Sequence, residues 1–192
     1  MTLPPEIETR VVERLYRDAD EISWDGIAPV TRSAHYDRWV NDPEIGGRLQ
    51  KFMDEKECRH WIKDGPMKER ARAVYGVGKY APLVPNPVAS PSQLVTQGIG
   101  AGWEIDDTTL EIKPLRILAH RRDETIRFCW GRAKDLKHLV WAALKAEAEG
   151  DPISWALCVV GTFTHPIPAN QRESDLRLGK RCALRIVHVN LS

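Results

Sequence analysis

Ile7, Val11, Val12, Leu15 and Tyr16 recur at helical spacing behind Pro5, with Arg and Glu filling the positions between them. Side chains three and four positions apart share one face of an α-helix, so this run predicts an amphipathic helix. Ser23-Trp24-Asp25-Gly26 ends it. Thr31 is the expected cap of a second helix carrying Ala34, His35, Trp39 and Val40 inward. Asp42-Pro43 has the order of a cap followed by Pro at the first helical position, with Ile45, Leu49 and Phe52 continuing the helix. Asp54 and Glu57 stand at capping-box spacing ahead of Cys58, Trp61 and Ile62. Gly65-Pro66 closes that helix, and 67–75 makes one more. Residues 1–75 therefore read as a helical region of four or five short helices.

Residues 76–102 change character, with Pro82, Pro85, Pro87 and Pro91 among Gly76, Gly78, Gly98, Gly100 and Gly102. Proline removes backbone donors and glycine loosens φ, so regular structure is expected to be sparse, and the segment reads as a connector.

From Trp103 the period shortens to two. In 109–118, Leu110 and Ile112 alternate with Glu111 and Lys113, and Pro114 interrupts the ladder as at an edge or a bulge. After a polar turn at 120–124, Ile126, Phe128 and Trp130 alternate with Arg127 and Cys129. A helix follows over 133–149, its apolar stripe Leu136, Leu139, Val140, Ala143 and Leu144, stopped by Gly150-Asp151-Pro152. Residues 153–163 are apolar on both faces, as in a strand covered on both sides. A polar loop is expected over 164–180 and a last strand over 182–190. The fold class expected is α+β: a helical N-terminal half, then over 103–192 a small mixed sheet in ββαββ order against one long helix.

Composition narrows the classes of function. The longest apolar run, around Trp155–Val160, is far short of the ~20 residues of a membrane-spanning helix. Met1–Glu6 has neither the basic nor the apolar segment of a secretory signal. Cys58, Cys129, Cys158 and Cys182 stand singly, outside any CxxC and away from any finger-spaced histidine. A cytoplasmic protein with free, packed thiols and no membrane partner is expected. Gly76-Val77-Gly78-Lys79 lacks the spacing of a phosphate-binding loop, and neither GxSxG nor HExxH occurs. Of seven tryptophans, Trp39, Trp61 and Trp141 are expected in the core, while Trp24 and Trp103 sit beside glycines near element ends.

Charge changes the picture more. The net charge of +1 conceals a separation: residues 113–138 hold eight Lys and Arg against Asp123, Glu124 and Asp135, while residues 1–26 hold seven acids against three arginines. Segregated charge makes a local field strong enough to hold phosphates. Arg121 and Arg122 are expected at a hairpin tip, Arg127 on the hairpin's outer face, and Arg132, Lys134 and Lys137 at the start of the next helix. Cations there oppose the helix dipole unless an anion is close, while the free amides of the first turn attract phosphate. These six residues are the candidate contacts to nucleic acid or another polyanion. The alternative is a solvated face balanced by the acidic N-terminal helix.

Glu111-Ile112-Lys113, with Asp106 and Asp107 upstream, is the catalytic candidate. On a strand, Glu111 and Lys113 leave the same face. Such a pair, with a second carboxylate, holds Mg²⁺ and steadies an attacking water. The strand, helix and strand that follow resemble the order of PD-(D/E)xK nucleases, with two departures. A hairpin stands between the Glu-x-Lys strand and the helix, and the strand leading into the helix carries Cys129-Trp130-Gly131-Arg132, which has no carboxylate. The leading expectation is thus a binder of nucleic acid without a cofactor. A Mg²⁺-dependent nuclease and a protein-interaction subunit are the alternatives, and the sequence does not decide whether the chain is catalytic.

Overall fold

A computed structural model describes residues 3–162 and 165–191. They divide into two units, Met1–Pro87 and Val88–Ser192. The class is α+β: a helical N-terminal half precedes a five-stranded mixed sheet.

The first unit is built on α1 (Pro5–Glu21), whose Val11, Val12, Leu15, Tyr16 and Ala19 are fully buried. α2 (Pro29–Asn41), α3 (Gly46–Leu49), α4 (Glu55–Asp64) and α5 (Pro66–Ala73) complete the unit's α-helices. α2 begins at Pro29, so Thr31 lies inside its first turn and is not its cap, and Ala34 is exposed. Asp42 instead accepts hydrogen bonds from the amides of Glu44 and Ile45, at 2.7 and 3.1 Å, in a turn before α3. The capping box forms as its spacing implies: the Glu57 amide donates to Asp54 Oδ1 at 2.8 Å, and the Asp54 amide donates to Glu57 Oε2 at 3.0 Å. Long polar contacts tie the helices together. Tyr16 Oη donates to the Pro66 carbonyl at 2.9 Å, and the buried Arg70 guanidinium lies between Asp20 and Asp25.

The second unit opens with α6 (Pro91–Ile99), inside the segment expected to lack regular structure. The reason is local: Ser90 Oγ accepts from the Gln93 amide and Gln93 Oε1 accepts from the Ser90 amide, while Pro91 takes the first helical position, where its missing donor costs nothing. The sheet then runs in the spatial order β1 (Glu104–Ile112), β2 (Leu115–Arg121), β3 (Glu124–Gly131), β4 (Ser154–Thr162), β5 (Arg185–Leu191). The pairs β1–β2 and β2–β3 are antiparallel; β3–β4 and β4–β5 are parallel. α7 (Leu136–Ala148), preceded by the single 3-10 turn Ala133–Asp135, links β3 to β4, and α8 (Ala169–Arg181) links β4 to β5.

The expected ββαββ order is therefore corrected to βββαβαβ. Pro114 lies in the turn of a tight hairpin, so residues 109–118 belong to two strands and not one. The expected loop over 164–180 contains α8, because parallel neighbours require a crossover between them. Phe163 and Thr164, where the expected strand ends and the expected loop begins, lie outside the described residues.

Alternation along the strands separates the two faces of the sheet. On one, Gly98 of α6 lets the helix approach so closely that an added Cβ would stand 3.2 Å from the Phe128 ring and 3.3 Å from Val187. On the other, Leu136, Leu139 and Ala143 of α7 pack with Cys129, Trp155, Leu157, Val159 and Ile186. Covered on both sides, β4 buries Ala156, Leu157, Cys158 and Val159 completely, which explains its unbroken apolar run. α8 lies on the α7 side, pinned by polar contacts. His188 Nε2 and Asp175 Oδ2 are 3.0 Å apart, and Gln171 Nε2 donates to Asp175 Oδ1 at 2.6 Å, with Asp175 only 2% exposed. Cys158 pairs in register with Val187, and alternation sends its side chain to the opposite face from His188.

Candidate nucleic-acid interface

The basic stretch 113–138 is not one surface. Arg121 and Arg122 sit where β2 turns into β3, whereas Arg132, Lys134 and Lys137 follow the far end of β3. Seven strand steps of ~3.3 Å put about 23 Å between these ends. Arg116 pairs with Cys129, so the turn at Lys113 and Pro114 falls beside the Gly131 end of β3 and joins the second group.

At the tip, Arg121 lies over the Trp103 ring at 4.6 Å and pairs with Glu124 at 3.0 Å. Arg122 occupies the left-handed region at φ 54° and is exposed. It has no ion pair among the described residues. Arg127 lies on the sheet face, bound to Asp151 at 3.1 Å and 3.7 Å from Glu111, its side chain 17% exposed. It is a paired structural cation.

The carboxylates of the catalytic candidate are engaged locally. Glu111 contacts the guanidinium of Arg116 as well as that of Arg127, and both arginines reach over the Trp155 ring, at 5.7 and 5.4 Å. Asp106 accepts from the Thr108 amide at 3.0 Å and from Thr108 Oγ1 at 2.6 Å, and these bonds hold its carboxyl below its ordinary range. An irregularity in β1 sets Asp106 opposite Leu118 and Glu111 opposite Arg116, so that five steps along β1 match two along β2. Asp107 is exposed within that irregularity. Lys113 lies beyond the end of β1, in the turn, so it does not share a strand face with Glu111 as the alternation predicts. No group of three or more potential metal ligands occurs among the described residues. A Glu111 side chain held between two arginines is a poor fit to Mg²⁺, because its negative charge is already matched.

The start of α7 is different. Lys134 and Lys137 are exposed and have no ion pair among the described residues. One helical turn further, Trp141 is 68% exposed. It stands two residues from both Leu139 and Ala143, which face the sheet, and two residues turn a helix by about 200°. Trp141 therefore points away from the core, a correction to its expected place there. By the same rotation Lys137, His138 and Lys145 fall on its side of α7, and all three are exposed, as is Lys134 in the 3-10 turn before it. Lys145 makes one surface contact, to Glu149 at 3.6 Å.

Comparison with protein-family models, with curated proteins and with solved structures finds no match. The chemistry of the site therefore rests on its own side chains. The 3-10 turn and the outer face of α7 together present three ammonium groups, an imidazole and an indole. Ammonium groups recognise phosphate as point charges, and an indole offers a flat π surface. Trp141, His138 and Lys145 were the residues that net-charge counting over 113–138 left out. The helical period alone, counted from Leu139 and Ala143, marks all three.

Proposed function

We propose that the second unit binds nucleic acid through the start and outer face of α7, with Lys134 and Lys137 contacting backbone phosphates. The observation that carries this reading is a cluster of exposed lysines, Lys134 in the 3-10 turn and Lys137 on α7, neither with an ion pair among the described residues, beside the exposed Trp141. Arg132 and Lys113, at the same end of the sheet, extend the positive region. Arg121 and Arg122 form a second, smaller group at the other end, and Arg127 is taken up by Asp151 and Glu111.

Another polyanion or an acidic protein partner would meet the same field, and salt sensitivity alone does not distinguish them. Among the described residues no helix is long and apolar enough to cross a membrane. The cysteines are free thiols, three of them buried, which suits action in a reducing cytoplasm. The test is binding of labelled DNA and RNA to the full chain. Lys134→Gln with Lys137→Gln lowers the log–log salt slope by about 1.4 for single strands and about 1.8 for duplex. An unchanged slope in that double variant removes α7 from the interface.

A further inference from the structure

We infer that the nucleic acid taken by this face is single-stranded, one of its bases stacking on the Trp141 indole while Lys134, Lys137 and Lys145 hold the flanking phosphates; this rests on the reading above. An indole 68% exposed on a helix face leaves most of its surface uncovered by its own unit. Its neighbours on that face are three lysines and a histidine, all exposed. That surrounding suits a polyanion with π faces better than an apolar groove, which would have to desolvate the ammonium groups.

Duplex DNA presents phosphates to such a helix, but its base faces are already stacked on one another and give an outward-pointing indole nothing to cover. A single strand offers both groups at once. The dimensions agree. The eleven steps from Lys134, in the 3-10 turn, to Lys145 rise about 17 Å. At ~3.4 Å per stacked nucleotide, that corresponds to about five nucleotides, with Trp141 about two-thirds of the way from Lys134. His138, one turn before the indole, is placed to meet the nucleotide next to the stacked base.

The experiment uses the full chain, a labelled oligothymidylate of about 12 nucleotides and a blunt duplex of equal length, read by fluorescence anisotropy. Trp141 is 68% exposed, so Trp141→Ala is expected to keep the wild-type circular dichroism. That variant should bind oligothymidylate on the order of 5- to 150-fold more weakly, with the salt slope unchanged. Trp141→Phe should recover part of the loss, because the smaller ring still stacks. Saturating oligothymidylate should quench wild-type tryptophan emission more than that of Trp141→Phe, a sign that a charge contact alone would not produce.

If single strand and duplex bind equally and Trp141→Ala changes neither, the stacking inference is overturned while the polyanion reading stands. If no nucleic acid binds at low salt, both fall. If Trp141→Ala abolishes self-association in sedimentation and leaves oligothymidylate affinity unchanged, the indole belongs to a contact between copies and the inference is likewise overturned.

Discussion

Glu111→Gln removes one negative charge from between Arg116 and Arg127 while keeping the length of the side chain and one acceptor oxygen. The Glu111 side chain is 47% exposed, so each of its ion pairs is screened and contributes at most about 1 kcal/mol. The amide oxygen retains part of the Arg116 contact. A loss of about 1 kcal/mol is expected, or about 4 °C in the unfolding of a unit of roughly 100 residues. Arg127→Met should cost more, about 2 kcal/mol, because it also strips the Asp151 pair, whose side chains are only 17% and 21% exposed. The two changes share a partner and should be less than additive by about 0.5 kcal/mol or more. Urea unfolding followed by circular dichroism measures all three variants, with cleavage of plasmid DNA in Mg²⁺ followed alongside. The reasoning is refuted if Glu111→Gln is as stable as the wild type, combines additively with Arg127→Met, and loses a Mg²⁺-dependent cleavage that the wild type has. That pattern would return Glu111 to a catalytic role.

The remaining predictions concern the frame around the interface. Arg70→Leu leaves Asp20 and Asp25 without their shared cation and should destabilise the first unit by about 3–5 kcal/mol, read as a large fall in its denaturation midpoint. Gly46→Ala would set a Cβ 1.8 Å from the Val40 carbonyl oxygen, and backbone cannot yield as a side chain does, so little folded protein is expected on purification. Ser90→Ala removes one half of the α6 capping box and should cost about 1 kcal/mol in urea unfolding. Burial raises the Cys129 and Cys158 thiols from 9.0 to about 12 and Cys58 to about 11. A raised folded pKa favours the protonated form, so the stability from these thiols is whole below pH 9 and is lost as pH rises towards 12. In native protein at pH 8, an alkylating reagent followed by mass spectrometry should modify the half-buried Cys182 first.

Elements whose own residues carry their signal were legible from the sequence. α1 shows its apolar face at period 3.6, Ile126, Phe128 and Trp130 of β3 recur at period two, and the middle of β4 is an apolar run because both its faces are covered. α6 was hidden by composition: prolines and glycines around it suggested a connector with sparse regular structure, although Ser90-Pro91 with Gln93 spells a helix start. α8 was hidden for the opposite reason. Its buried positions are Asp175 and Gly179, and a helix that docks through a carboxylate–imidazole contact and a small residue shows no apolar stripe. The hairpin of β1 and β2 was missed because Pro114 marks a turn as readily as a break in a strand. The site suffered from counting charge along the chain. Arg121 and Lys134 are close in sequence but stand at opposite ends of β3, and Trp141 was assigned inward by its hydrophobicity against its position on the helix.

The most direct test of the account is the salt dependence of oligothymidylate binding to the full chain between about 50 and 200 mM monovalent salt. With three lysines each neutralising one phosphate, the log–log slope should be near −2, a roughly 20-fold loss of affinity across that range. The slope should fall to about −0.7 when Lys134 and Lys137 are both glutamine. Binding that ignores salt, or none at the lower concentration, would contradict the claim that the face of α7 is a nucleic-acid interface.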